Sequence, residues 1–284
     1  MAKMLRVGFV GVGDMGGPMA RHIIQSGFPT TLWARRPEAL GQFADLSFET
    51  ARDLPDLGRK SDICGVCVFS DEDTLEVCLG EAGLMSAMAP GAIVLLHPTI
   101  APQTAVRIAE AGERGGVKVL DAPVAGARVR AEEGALSVVV GGDAGAFQRA
   151  MPVMQAYGRS IRRMGPVGSG LQMKMLNNLL SRVNLAMAHE AVQLGANLGM
   201  DGNVVLDVLR SASADSFMLN FLADRILPHP EYARHVAAMA EKDMDLFERM
   251  RTEAGLAPSA LERAAREGVR AFQKLGRNSL ADQN

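Results

Sequence analysis

Short apolar runs alternate with helix-like segments along the first part of the chain. The runs are nearly continuous in apolar residues, as expected of strands that are buried on both faces of a parallel sheet. They lie at residues 5–10, 30–34, 63–69, 92–96, 117–120 and 136–140. Helices are predicted after the first strand as far as Gly27, at residues 71–79 and at residues 101–114. The alternation predicts an α/β fold with a doubly wound parallel sheet.

Strand-like runs stop near residue 164, and helical patterns follow. They cover residues 171–198, 201–212, 216–227, 231–254 and 258–275, with Gly199 as a stop signal, Asp201 as an N-cap and Pro258 in a first turn. We therefore predict an α/β domain at residues 1–164 and an all-α domain at residues 165–284. The first long helix, about 40 Å in length, is apolar on more than one face, which predicts contact with a second subunit in a homodimer or homotetramer.

A glycine-rich turn separates the first predicted strand from its helix. The GxGxxG spacing suits a dinucleotide pyrophosphate, because Gly11 permits a tight turn, Gly13 lets backbone amides approach and Gly16 lets helix and strand pack closely. The predicted pyrophosphate loop consists of Gly11, Val12, Gly13, Asp14, Met15 and Gly16. This context predicts a Rossmann-type, dinucleotide-binding first domain.

Two arginines follow the second predicted strand, where an NAD-selective fold usually has an acidic residue. Arg35 and Arg36 lie near the roughly 20-residue spacing of the cofactor-discriminating site. Guanidinium groups suit a 2′-phosphate, which favours NADP over NAD. The alternative is a pair of solvated arginines before Pro37.

Lys174 and Asn178 lie four residues apart in the apolar helix that follows Gly165–Gly170. On a helix they share one face and could bind the same small molecule. Taken alone, a lysine in an apolar run is more often a surface residue with a snorkelling side chain. His97, at a strand end, is likewise more typical of a local hydrogen-bonding residue than of a catalyst.

Composition narrows the choice of partners. The 284 residues are 48% hydrophobic and 22% charged with a net charge of −2, which disfavours nucleic acid and membrane surfaces as partners. No stretch reads as a transmembrane segment or a signal peptide, so we expect a cytoplasmic protein. The chain has three cysteines, an odd number, which are expected to be buried thiols: Cys64, Cys67 and Cys78. The first two have CxxC spacing, but no second such pair completes a metal site.

Four ordered motifs give the chain a family resemblance. They are Gly11-x-Gly13-x-Met15-Gly16, Asp121-Ala-Pro-Val, the glycine-spaced loop ahead of Lys174 and Asn178, and Lys242-Asp243. In this order the chain resembles the β-hydroxyacid dehydrogenase family. The resemblance implies a pyrophosphate loop at Gly11–Gly16, Arg35 at the 2′-phosphate and Thr99 near the nicotinamide. It also implies Lys174 as general acid/base, Asn178 as a substrate-orienting residue and Lys242 over cofactor and substrate.

The chain departs from the family pattern at the expected substrate-binding loop. Where the family usually has Ser-Gly-Gly, this chain has Ala125-Gly126-Ala127, so a hydroxyl that would bind a substrate carboxylate is missing. Arg128 or Arg130 could replace that contact, or both could be solvated. Pro98 also replaces a more usual serine.

These observations predict an NADP(H)-dependent enzyme that interconverts a small β-hydroxyacid and its semialdehyde, or reduces a small aldehyde-acid. A partly buried lysine beside a cationic nicotinamide has its pKa lowered towards neutrality, where it can donate or accept a proton. An imine reductase is one alternative, although those enzymes usually lack the lysine. A non-catalytic NADP-binding sensor is another, although it would have no use for a proton donor.

Overall fold

The protein consists of two compact units. The computed structural model describes residues 4–229 and 232–281, and the units meet between Lys174 and Met175. This boundary lies ten residues beyond the predicted one. The first three residues and the predicted helix start at Glu231 lie outside the described residues.

Within the described residues, the nine strands of the first unit form one sheet. The strands are β1 (Val7–Val10), β2 (Thr30–Trp33), β3 (Glu49–Thr50), β4 (Ile63–Val66), β5 (Ile93–Leu96), β6 (Lys118–Asp121), β7 (Val124–Ala125), β8 (Leu136–Gly141) and β9 (Gly158–Gly165). Their order is β3-β2-β1-β4-β5-β6-β8-β7, with β9 also paired to β8. The doubly wound arrangement is confirmed, and the pairings among β1 to β6 are all parallel.

The sheet is mostly parallel, and antiparallel pairs occur at one edge. β8 runs antiparallel to both β6 and β7, and β9 runs parallel to β8. The connection from β6 to β8 contains β7 and a helix of only six residues, so the chain reverses direction there instead of crossing over. Sequence patterns did not predict β3, β7 or β9. β3 and β7 have two residues each, and β9 exposes arginines where an apolar run would be expected.

Helices surround this sheet and make up the second unit. In unit 1 they are α1 (Gly16–Gln25), α2 (Leu54–Arg59), α3 (Asp71–Leu79), α4 (Pro102–Arg114), α5 (Ala127–Glu132) and α6 (Ala144–Met154). The long α7 (Ser169–Asn197) then leads into α8 (Gly202–Ser211), α9 (Phe217–Phe221), α10 (Tyr232–Glu253) and α11 (Ala260–Ala281). The predicted α/β unit followed by an all-α unit is confirmed.

Helix ends follow local chemistry in unit 2. Asp201 caps α8 as predicted, because its carboxylate accepts from the backbone amides of Asn203 and Val204 at 2.8 and 3.2 Å. The last helix begins at Ala260, two residues after Pro258, because the hydroxyl of Ser259 accepts from the amide of Glu262.

The central strands are buried on both faces. Ile93 and Leu95 belong to one apolar cluster, whereas Val94 and Leu96 belong to another. Alternate residues of a strand point to opposite faces, so the continuous apolar runs of the sequence are explained by these two cores. Leu171, from the first turn of α7, joins the second cluster and is completely buried.

A buried carboxylate fixes the beginning of α7 to the sheet. Asp121, the last residue of β6, accepts from the amide of Gly168 at 2.7 Å and from the amide of Leu171 at 2.8 Å. Gly168 has a φ of +95°, a conformation that glycine adopts without strain. A side chain at Gly170 would collide with the Asp121 carboxylate. The glycine-spaced loop therefore lets backbone amides close around this group, and its contacts explain why the first turns of α7 belong to unit 1.

We expect the stability contribution of Asp121 to fall as the pH rises. Burial raises its pKa to about 6 from an ordinary 3.8, against the opposing effect of the amide donors. The folded state therefore binds the proton more tightly than the unfolded state does. The contribution of Asp121 to the free energy of unfolding is fully present below about pH 4 and is lost as the pH rises through about 6. Urea denaturation should find Asp121→Asn less stable by about 1–3 kcal/mol at pH 4.5, with a smaller difference at pH 7.5.

The control is Asp143→Asn at the exposed N-cap of α6. The amide of Ala146 lowers the pKa of Asp143, so its difference from wild type should grow as the pH rises. A difference for Asp121→Asn that also grew with pH would contradict the expected effect of burial.

Candidate active site

The glycine-rich loop lies at the carboxyl end of β1, and its backbone suits a dinucleotide. Gly11 has a φ of +90°, and a side chain there would collide with the carbonyl of Cys67. A side chain at Gly16 would meet the carbonyl of Gly11 and the ring of Phe9. The space above Gly13 is open, and α1 begins here without a side-chain cap on its first amides. These features fit a pyrophosphate at the helix N-terminus.

The other loop residues have distinct environments. Val12 is buried, and its carbonyl accepts from the side-chain amide of Gln42 at 2.9 Å. Met15 packs against the first apolar cluster, while Asp14 is exposed. The loop is therefore fixed by its apolar members, and Asp14 extends towards solvent.

The two candidate 2′-phosphate residues follow β2. Arg35 is exposed, and its guanidinium pairs with Asp73 of α3 at 2.8 Å. Arg36 is also exposed and makes no ion pair with any described residue. Both residues follow the carboxyl end of the strand next to β1, where the sequence places the cofactor-discriminating residues.

His97 and Thr99 follow β5. His97 is buried, its Nδ1 donates to the carbonyl of Ala122 at 2.8 Å, and its ring stacks on Phe9. Burial lowers the pKa of His97 to about 4, so the ring is neutral and acts as part of the core. Thr99 is half-buried in the turn before α4. The interpretation of His97 as a local hydrogen-bonding residue is therefore supported.

The predicted substrate-binding loop has an unusual backbone. Ala125, Gly126 and Ala127 are half-buried at the junction of β7 and α5. Ala127 has a φ of +55°, and it is the one described non-glycine residue with a positive φ. The backbone thus keeps a shape that favours glycine although the chain has alanine there.

Both candidate replacements for the missing serine hydroxyl make ion pairs. Arg128 binds Asp14 of the pyrophosphate loop and Glu132, each at 2.7 Å. Arg130 pairs with Glu133 at 3.4 Å. Arg128 therefore joins α5 to the glycine-rich loop through a charge contact that spacing alone did not reveal.

Lys174 lies in α7, one turn after the residue whose amide binds Asp121. The predicted helix continues through both positions, so Lys174 and Asn178 are four residues apart within α7. Lys174 is half-buried. Its backbone position is set by the contacts of Asp121 with Gly168 and Leu171.

Asn178 belongs to a polar cluster within unit 2. It is nearly buried, and its amide nitrogen donates to Asp243 of α10 at 2.8 Å. Arg182 pairs with the same carboxylate oxygen at 3.3 Å. Lys242, the other predicted cofactor residue, is the half-buried neighbour of Asp243 on α10. The Lys242-Asp243 motif therefore includes the residue that orients Asn178.

Three carboxylates that bind predicted site residues or the start of α7 had no assigned chemical role in the sequence-based prediction, although two of them belong to its motifs. They are Asp73, Asp121 and Asp243. Asp73 lies three residues after Ser70 in a capping pattern, and Asp121 ends an apolar strand, so a local signal existed for both. Their long-range partners, Arg35 and the first turn of α7, could not be read from sequence spacing.

Among the described residues there is neither a candidate metal site nor a helix that could span a membrane. No group of three or more His, Cys, Asp or Glu side chains among them could hold a metal ion. Cys64 and Cys78 are buried thiols as predicted, whereas Cys67 is half-buried. No helix in the described ranges is long and apolar enough to span a membrane.

Comparisons with known proteins cover both units. The family model described as the NAD binding domain of 6-phosphogluconate dehydrogenase matches residues 6–165. A second model, described as NAD-binding of NADP-dependent 3-hydroxyisobutyrate dehydrogenase, matches residues 168–283. Together the two models follow the observed succession of a sheet unit and a helical unit.

Individual relatives agree with these models. An oxidoreductase of Shewanella frigidimarina is 35% identical over 217 residues, covering 76% of this chain and 75% of its own. An NAD-dependent L-serine dehydrogenase of Pseudomonas aeruginosa is 32% identical over 216 residues, covering 76% and 72%. A crystal structure of 3-hydroxyisobutyrate dehydrogenase from Salmonella typhimurium matches with a TM-score of 0.82 at 27% identity, covering 95% of this chain and 93% of that chain.

The matches and the geometry lead to one assignment. The glycine-rich loop, the mostly parallel sheet and the helical second unit are all found in the matched regions. The chain is an oxidoreductase with a dinucleotide-binding first unit, and it belongs to the β-hydroxyacid dehydrogenase family.

Proposed function

We propose that the protein is an NADP(H)-dependent dehydrogenase that interconverts a small β-hydroxyacid and its semialdehyde, or reduces a small aldehyde-acid. The observation that carries this proposal is the placement of Lys174. A half-buried lysine lies one turn beyond a helix start that a buried carboxylate fixes to the dinucleotide-binding sheet. A dinucleotide-binding protein without catalysis would have no need for a proton donor in such a constrained position.

Lys174 moves the proton in this proposal. Its ammonium donates to the substrate oxygen during reduction, and its neutral amine accepts that proton during oxidation. The nicotinamide cofactor supplies or accepts the hydride when it is bound. Asn178 orients the substrate, and its own side chain is held by Asp243 at 2.8 Å.

The pyrophosphate is assigned to residues Gly11, Val12, Gly13, Asp14, Met15 and Gly16, with Thr99 and Lys242 as further cofactor contacts. Arg35 and Arg36 favour NADP because each can donate to a phosphate through a planar guanidinium fork. The similar proteins differ in the cofactor that their descriptions name: one matching family model is described as NADP-dependent and one relative as NAD-dependent. The arginines of this chain are the basis for preferring NADP.

The substrate is proposed to carry a carboxylate near Ala125, Gly126 and Ala127. The first two residues of this loop lie in β7 and at its end, within unit 1. Because the family's serine hydroxyl is absent here, the loop can offer the substrate its backbone and a smaller apolar surface. Substrate selectivity is therefore expected to differ from that of relatives with a serine.

A second copy of the chain is the proposed partner of α7. Large apolar side chains on this helix recur at intervals of four and seven residues and share one face. They are Leu176, Leu180, Met187 and Leu194, with exposed fractions between 46% and 55%. Contiguous exposed apolar surface of this kind is typical of an interface between subunits.

Replacing Lys174 should remove turnover and spare cofactor binding. NADPH oxidation is measured with glyoxylate, succinic semialdehyde, methylmalonate semialdehyde, apolar aldehydes and cyclic imines. With the substrate that supports turnover, Lys174→Ala should lower kcat by roughly 10²–10⁴-fold, the range for loss of a general acid/base. The dissociation constant for NADPH should change little.

Lys118→Ala, which removes an exposed lysine of unit 1, is the matched control. Near-wild-type kcat in Lys174→Ala would exclude this lysine from the chemistry. Turnover confined to cyclic imines would favour imine reduction, and no turnover on any compound would favour a binding protein.

Replacing Arg35 should affect the two cofactors unequally. Loss of a charge-assisted contact costs about 1.5–3 kcal/mol, so Arg35→Ala should raise KM for NADPH by roughly 10- to 100-fold. KM for NADH should change less than threefold. Steady-state kinetics with both cofactors tests this, with the exposed Arg107→Ala as control. Equal changes for NADPH and NADH would remove Arg35 from 2′-phosphate recognition.

Charges on the apolar face of α7 should separate the subunits. Leu180→Glu combined with Met187→Glu places two carboxylates in the proposed interface, where burial would be costly. Light scattering after size exclusion should give an oligomer for the wild type and a monomer for the double variant. Gln193→Glu, also exposed on α7, should leave the oligomer intact. A monomeric wild type would contradict the proposed interface.

A further inference from the structure

The Arg35–Asp73 ion pair spans the carboxyl end of β1. β1 lies between β2 and β4, and Val10 is in register with Trp33 on one side and with Val66 on the other. Arg35 follows Trp33 closely, while Asp73 belongs to α3, the helix after β4. Because parallel strands end at the same edge of a sheet, the pair connects the two segments that flank the start of the pyrophosphate loop.

Asp73 is held firmly at its end of this pair. Its backbone amide donates to the hydroxyl oxygen of Ser70 at 3.0 Å, and that hydroxyl donates to Asp73 Oδ2 at 3.1 Å. The remaining carboxylate oxygen, Oδ1, accepts from Arg35 at 2.8 Å. The Arg35 guanidinium lowers the pKa of Asp73, so the carboxylate stays ionised near neutral pH.

The two partners differ in how tightly they are fixed. The Arg35 side chain is 75% exposed and meets Asp73 through its terminal nitrogen, whereas the Asp73 side chain is only 31% exposed. An exposed ion pair of this kind is weak and can be exchanged for another anion. A 2′-phosphate that binds Arg35 must therefore compete with a carboxylate that is already in place and carries the same sign of charge.

We propose that Asp73 is a specificity-determining residue of the nucleotide site, which lowers the preference for a 2′-phosphorylated nucleotide by competing for the Arg35 guanidinium. The inference rests on the proposed NADP site, but it concerns a residue outside the glycine-rich loop and the arginine pair. Glu72 provides a comparison within the same helical turn, because it carries the same charge and makes no ion pair with a described residue.

The test measures binding of 2′,5′-ADP and 5′-AMP, which differ by the 2′-phosphate, by calorimetry at fixed ionic strength. Asp73→Asn should tighten the dissociation constant for 2′,5′-ADP by about three- to tenfold, the effect of one charge at ion-pair distance in a solvated setting. The constant for 5′-AMP should change by less than about twofold. Glu72→Gln should change both constants by less than about twofold, since solvent and salt screen its charge.

Arg35→Ala distinguishes this inference from the function on which it depends. If Arg35→Ala weakens 2′,5′-ADP binding, the phosphate site stands, and Asp73→Asn added to Arg35→Ala should then change affinity little. An unchanged or weaker 2′,5′-ADP affinity in Asp73→Asn, or an equal gain in Glu72→Gln, would overturn the role of Asp73 alone. Unchanged 2′,5′-ADP binding in Arg35→Ala would overturn the proposed NADP site itself.

Discussion

The contact between the Asp121 carboxylate and the start of α7 is the constraint on which the candidate site depends. A fully buried carboxylate is costly unless its oxygens are satisfied, and here the amides of Gly168 and Leu171 satisfy them. The same contacts fix the axis and the rotation of the helix at its first turn. Because a helix is stiff, the direction in which Lys174 projects is decided at the end of β6, more than fifty residues earlier in the chain.

Carboxylates also organise the predicted cofactor region. Arg128 is held by Asp14 and Glu132, and Arg35 is held by Asp73. These exposed pairs contribute little to folding. The pairs act through their charge. Asp73 places a negative charge beside Arg35, and Asp14 places one in the glycine-rich loop, which are the two places where the proposed function puts a phosphate of the cofactor. Affinity for the dinucleotide is thus expected to depend on how readily these pairs are exchanged.

The second unit relies on the same combination of helix stiffness and buried polar contacts. Asp243 accepts from both Asn178 and Arg182, so two residues of α7 are oriented by a carboxylate on α10. Elsewhere on its surface, α7 leaves about half of the Leu180 and Met187 side chains exposed. One helix therefore has a hydrogen-bonded polar cluster on one face and an exposed apolar surface on another.

The sequence by itself determined the α/β-then-α order, the GxGxxG turn and the helical spacing of Lys174 and Asn178, because each depends on local periodicity or backbone conformation. It did not determine the antiparallel β8, since the reversal after β6 follows from a short helix and a two-residue strand that leave no periodic signal. Nor did it pair Asp121 with α7 or Asp73 with Arg35. Those contacts join residues that are distant in the chain, and only the tertiary structure, by bringing strand ends to one edge of the sheet, decided them.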